Sequence, residues 1–79
     1  MAGRGEFIAL GRTLRRARRD RDLSQEAVAR RAGIGPKHMS ELERGNKNPR
    51  VQTFLCIAAA LGITGAELMA LYEQQLKAG

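Results

Sequence analysis

The chain has 79 residues, 43% of them apolar, enough for one small domain with one modest core. Its Lys and Arg outnumber Asp and Glu by 14 to 8, and the formal charge of +6 is the electrostatic footprint of a polyanion binder. The one cysteine, Cys56, excludes an internal disulfide and a cysteine-built metal site and fits a reducing, intracellular setting; the longest apolar run, residues 54–63, is too short to span a bilayer.

Residues 1–5 contain two glycines and are expected to form a loose arm ahead of a single domain over 6–79. Helical periodicity begins near Glu6. Phe7, Leu10, Leu14 and Ala17 recur at three- and four-residue spacing, while Arg12, Arg15, Arg16, Arg19 and Arg21 occupy the other faces. Asp22 ends this helix, at a place where Gly or Asn fits a left-handed cap better. Ser24 offers a hydroxyl cap to a second helix. A complete capping box would need Glu or Gln at position 27, where Ala27 stands, so half of the device is present. Val28, Ala29 and Ala32 face inward and Gly33 stops the helix.

A third helix starts at Pro36, whose missing N–H costs nothing in a first turn. Met39 and Leu42 mark its buried side, and Lys37, His38, Ser40, Glu41 and Arg44 project outward. Gly45 closes it, and Asn46-Lys47-Asn48-Pro49 makes a turn-rich loop. Residues 51–61 carry Val51, Phe54, Leu55, Ile57, Ala58 and Leu61 on a fourth helix stopped by Gly62. Thr64 and Glu67 have capping-box spacing for a fifth, with Leu68, Met69, Leu71, Tyr72 and Leu76 as its apolar stripe. There is no strand signal, no internal repeat and no linker. The expected fold is all-α.

The second and third helices are short and joined by a tight turn. They cannot lie antiparallel and bury much, so they cross steeply, as in a helix-turn-helix. That crossing pushes the third helix outward, where it can enter a DNA major groove. Catalysis finds little support. His38 is the lone histidine, without a Cys or Ser partner at catalytic spacing, and neither a Gly-rich phosphate loop nor a carboxylate pair in a predicted pocket occurs.

Taken in order, Leu10-Gly11, Leu14-Arg15, Arg18, Leu23-Ser24-Gln25-Glu26, Ala29, Gly33, Leu42-Glu43-Arg44-Gly45, Asn48-Pro49, Ala58 and Leu61-Gly62 resemble the phage repressor and Cro-like (XRE) helix-turn-helix family over roughly residues 10–71. The resemblance implies a compact five-helix, lambda-repressor-like domain that regulates transcription by binding operator DNA. The length resembles that of the small single-domain controller proteins of restriction–modification systems, which bind as homodimers. No cofactor or metal is implied.

The resemblance also assigns roles. Gln25, on the first turn of the second helix, bonds a DNA phosphate and braces the recognition-helix contacts; Ser24 sits beside it at the helix N-terminus, where free N–H groups suit phosphates. Lys37 and Glu41 match base-reading positions: Lys can donate to guanine, and Glu can accept from cytosine N4. Pairing of Lys37 with Glu41 along the helix is the plainer alternative. Ser40, His38 and Pro36 complete the base-facing set, although Gly35 and Pro36 depart from the family's frequent polar residues and shift the reading toward Lys37 and Glu41. Arg44, Asn46, Lys47 and Asn48 correspond to backbone contacts, which set register and salt-dependent affinity. Arg18 and Glu43 match an internal ion pair. Cys56 and Ala59 stand where relatives carry polar residues, and with Leu68, Met69, Tyr72 and Leu76 they are expected in a homodimer interface built by the fourth and fifth helices. The expected partner is a palindromic double-stranded operator in the cytoplasm, with RNA polymerase either excluded or recruited. An antitoxin that binds operator DNA and a toxin, the latter through residues 67–79, is the alternative.

Overall fold

The computed structural model describes residues 4–78, and every regular element within them is a helix: α1 (Arg4–Arg19), α2 (Gln25–Ala32), α3 (Pro36–Glu43), α4 (Val51–Ala60) and α5 (Gly65–Ala78). The first begins two residues before the sequence expectation. Arg4 and Gly5, read as part of the arm, are helical; the rest of that arm lies outside the described residues. Glu6 places a carboxylate among the unpaired N–H groups of the first turn. Arg4 Nη2 also donates to Asn46 Oδ1 at 3.2 Å, tying that turn to the loop after α3.

The helix ends follow their local chemistry. Asp22 adopts φ 54°, and the N–H groups of Asp22 and Leu23 close on the carbonyls of Arg19 and Arg18 at 3.0 and 3.1 Å. An aspartate thus performs the left-handed cap that glycine usually supplies, which its short polar side chain tolerates. Ser24 Oγ accepts from Ala27 N–H at 3.0 Å. Gly33, at φ 74°, turns the chain from α2 into α3, with Ile34 N–H reaching the Ala29 carbonyl at 2.9 Å. Thr64 and Glu67 form both bonds of the capping box, Glu67 N–H to Thr64 Oγ1 at 3.0 Å and Thr64 N–H to Glu67 Oε1 at 2.9 Å. Hydrogen bonding to the carboxyl by the Thr64 backbone N–H, and secondarily by its hydroxyl, holds Glu67 below its ordinary range.

α1 rests on α3 and α5, α2 on α3 and α4, and α4 on α5. Leu14, Val28, Met39, Leu42, Ile57 and Leu68 fill the centre, each fully buried. Each such side chain contributes roughly 1.5–3 kcal/mol of transfer free energy. Gly11 lets α1 approach the end of α3 backbone to backbone: a Cβ there would collide with the Glu43 carbonyl oxygen and lie 2.7 Å from that of Leu42. This contact fixes where α3 stands relative to the body.

The apolar residues of the last two helices do not all turn inward. Val51 is 77% exposed and Leu55 45%, whereas Phe54, Ile57, Ala58 and Leu61 are buried. On α5 only Leu68 is buried; Met69, Leu71 and Leu76 stay exposed and Tyr72 is half-buried. Successive helical residues are about 100° apart, so Leu68 and Met69 cannot share a destination. Leu68 therefore leaves the interface expected from the sequence and joins the core.

Candidate nucleic-acid interface

α3 divides cleanly. Met39, Leu42 and Glu43 are buried beneath it; Pro36 and Lys37 are exposed, and His38, Ser40 and Glu41 are half-buried along its outer side. Its N-cap, Gly35, makes no side-chain bond, and Pro36 opens the helix without needing one. The helix is therefore held mainly by what lies under it.

The principal anchor is Glu43. Its carboxylate has no solvent exposure and accepts from Arg18 Nε at 2.6 Å, Arg18 Nη2 at 2.9 Å, Gln25 Nε2 at 3.0 Å and Arg15 Nε at 3.4 Å. Arg18 also donates through Nη1 to the Leu23 carbonyl at 2.8 Å. Three helices are thereby joined at one carboxylate: α1 through Arg15 and Arg18, α2 through Gln25, α3 through Glu43 itself. Burial opposes ionisation of Glu43, but the hydrogen bonds from Arg18, Gln25 and Arg15, with the Arg18 charge, outweigh it and hold the carboxyl below its usual range. The bond to Glu43 raises the already high Arg18 value further against the opposing effect of burial.

Gln25 thus has a bracing duty inside the protein. One amide hydrogen is committed to Glu43, leaving the second hydrogen and the carbonyl oxygen without a partner among the described residues. Glu41 does not pair with Lys37. Its partner is Lys47, from the loop beyond the helix, with Nζ 3.8 Å from Oε2. That pair is loose and partly solvated, of a kind worth at most about 1 kcal/mol. Lys37 makes no ion pair among the described residues. Asn46 is held by Arg4, while Ser24, Arg44 and Asn48 are exposed beside α2 and the loop. The outer side of α3, the start of α2 and the loop therefore carry Lys37, Arg44 and Lys47 together with short polar side chains.

The participation of Arg15 and Gln25 at Glu43 was not part of the sequence reading. The available signal was their spacing: Arg15 and Arg18 are three apart on α1 and so lie on neighbouring rows. Thr13, also missed, is buried and satisfies itself by donating to the Ala9 carbonyl at 2.9 Å.

Of the expected interface residues, Ala59 is exposed on α4, Cys56 and Tyr72 are half-buried, and Leu68 is in the core. The outward apolar surface between α4 and α5 holds a shallow cleft of about 320 Å³, lined by Met69 and Tyr72 of the expected set and by Pro49, Val51 and Leu55 among others.

Residues 9–71 match the helix-turn-helix domain family. An uncharacterized HTH-type transcriptional regulator of Sinorhizobium fredii, y4dJ, is 42% identical over 60 residues, covering 76% of this chain and 78% of that protein. Among solved structures, the restriction-modification controller protein C.AhdI from Aeromonas hydrophila superposes with a TM-score of 0.78 at 33% identity, covering 81% of this chain and 97% of that one. The clp gene regulator ClgR from Corynebacterium glutamicum gives 0.85 at 28% identity, over 91% of this chain and 77% of its own. The fold and the family match define a DNA-binding regulator of transcription rather than an enzyme. The chain belongs to the helix-turn-helix family, in its XRE-like branch.

Proposed function

We propose that the protein binds a palindromic operator as a homodimer, each copy laying α3 in a major groove with half-sites about one helical turn apart. The observation that carries this reading is the division of α3: three inward residues hold it, and the outward ones are left to contact a ligand. Lys37 and Glu41 read bases, with Ser40, His38 and Pro36 packed beside them. Ser24, Gln25, Arg44, Asn46, Lys47 and Asn48 hold the sugar-phosphate backbone on either side. The cleft between α4 and α5 supports the homodimer, because exposed Val51, Leu55 and Met69 form a continuous apolar surface on a small domain.

The likeness to C.AhdI over nearly all of that protein's length favours a controller-type regulator. It would act at a promoter by excluding RNA polymerase or by contacting it. Binding sites selected from random DNA, titrated against salt, test the proposal. Log affinity falls steeply with log salt. Lys37→Ala relaxes base preference, whereas Lys47→Ala weakens all sequences alike. Equal, sequence-independent losses in the two variants would remove the base-reading assignment, and a flat salt dependence would remove DNA binding altogether.

A further inference from the structure

The Glu43 cluster contains more positive charge than its carboxylate needs. Arg18 alone supplies two short bonds and a full compensating charge, and Gln25 supplies a third bond. Arg15 comes last and longest, at 3.4 Å, and only through Nε. Its Nη1 and Nη2 groups make no hydrogen bond among the described residues, and its side chain is 42% exposed. A guanidinium is thus pinned by one nitrogen, uncompensated in charge, and presented to solvent by its two-pronged end. That end is the geometry that binds a phosphate bidentately. Arg15 Nε and Gln25 Nε2 also share the same carboxylate oxygen, so the two heads lie side by side.

We propose that Arg15 is a DNA-contacting residue contributed by α1, and that it grips the same backbone phosphate as Gln25, both being aimed by the buried Glu43. The proposal rests on the DNA-binding reading above and extends the interface onto a helix outside the helix-turn-helix unit. Pinning one nitrogen removes part of the rotamer entropy that a free surface arginine would lose on binding. The neighbouring Arg16 provides the contrast. It is exposed on the opposite flank of α1, beside the groove against α5, and has no link to the Glu43 cluster.

The test measures binding of wild type, Arg15→Ala, Arg15→Lys, Gln25→Ala and Arg16→Ala to a selected operator and to a mixed-sequence duplex, across a salt series. Arg15→Ala removes one phosphate contact from each copy of the dimer, which lowers the log–log salt slope by about 1.8, so the ratio of wild-type to Arg15→Ala affinity shrinks about 12-fold between about 50 and 200 mM salt. The loss is the same on both duplexes. Arg15→Lys restores the slope, and Gln25→Ala weakens binding without changing it. In the double variant Arg15→Ala/Gln25→Ala the combined loss falls short of the product of the two single losses, because they share a phosphate.

A slope unchanged in Arg15→Ala, or changed equally in Arg16→Ala, overturns the proposal by reducing Arg15 to general surface charge. Independent losses in the double variant overturn the shared phosphate. A wild type without steep salt dependence overturns the DNA-binding reading itself, whereas steep wild-type dependence with an inert Arg15 overturns only this inference. The stability of Arg15→Ala is protected because Arg18 and Gln25 continue to satisfy Glu43, and a melting curve at each step verifies it.

Discussion

Replacing Arg18 with leucine isolates the energetics of the buried cluster. Glu43 has no solvent exposure, so it cannot rehydrate when its partner goes. Breaking a buried pair by removing one member costs about 3–5 kcal/mol. Gln25 and Arg15 remain, at 3.0 and 3.4 Å, which places the expected cost toward the lower end. The lost bond to the Leu23 carbonyl adds about 1 kcal/mol. A domain this small has a total stability near the lower limit of about 5 kcal/mol, so Arg18→Leu stands close to its folding threshold at pH 7. Removing both charges in Arg18→Leu/Glu43→Leu leaves no stranded ion, and the pair of leucines recovers most of the loss.

Urea unfolding followed by circular dichroism between pH 7 and pH 4 reads both effects. In the wild type the folded-state Glu43 carboxyl is depressed. Its contribution is therefore present above the ordinary carboxylate value of about 4.3 and is lost as pH falls through the lower folded value. Without Arg18, burial instead favours the protonated carboxyl, so acidification relieves the variant and narrows its gap to wild type. A gap that is constant with pH, or a double variant as unstable as the single one, would refute the stranded-charge account.

Three further outcomes can be measured directly. Gly11→Ala forces a methyl group against two α3 carbonyls, which overpacking values place at about 1–3 kcal/mol of destabilisation; an unchanged melting temperature would contradict the close approach. Ser24→Ala removes the α2 cap and lowers stability by about 1 kcal/mol, read as a fall of about 4–8 °C in Tm. Leu55→Asp places a charge in the α4–α5 cleft and shifts sedimentation from dimer to monomer without unfolding the domain, since Leu55 is already 45% exposed; a persistent dimer would locate the interface elsewhere.

Much of the fold is legible because its signals are local. Ser24, Gly33, Pro36, Gly45, Thr64 and Glu67 punctuate the chain, and each boundary follows from one or two backbone N–H or C=O groups seeking a partner. The apolar face of α1 is legible for the same reason, as Leu10, Leu14 and Ala17 keep a single period. The periodicity of α4 and α5 is less decisive. Their apolar residues cover more than one face, and only packing separates buried Leu68 from exposed Met69. The candidate interface divides similarly. Outward residues of α3 follow from its inward ones, but convergence of Arg15, Gln25 and Glu43 requires three helices to be placed in space. The partner of Glu41 came from beyond the helix, at Lys47, whereas spacing alone favoured Lys37.

The separation of duties along α3 has an evolutionary consequence. Met39, Leu42 and Glu43 bind the helix to the body, and Gly11 sets the distance at which it stands. Lys37, Ser40 and Glu41 take no part in that support. With α3 reading the operator as proposed, target preference can drift by substitution at a few exposed positions while the domain retains its stability, so that duplicated copies acquire new operators without passing through unfolded intermediates. The same property makes α3 a graftable cassette, in which outward residues from another regulator can be installed over this chain's own foundation.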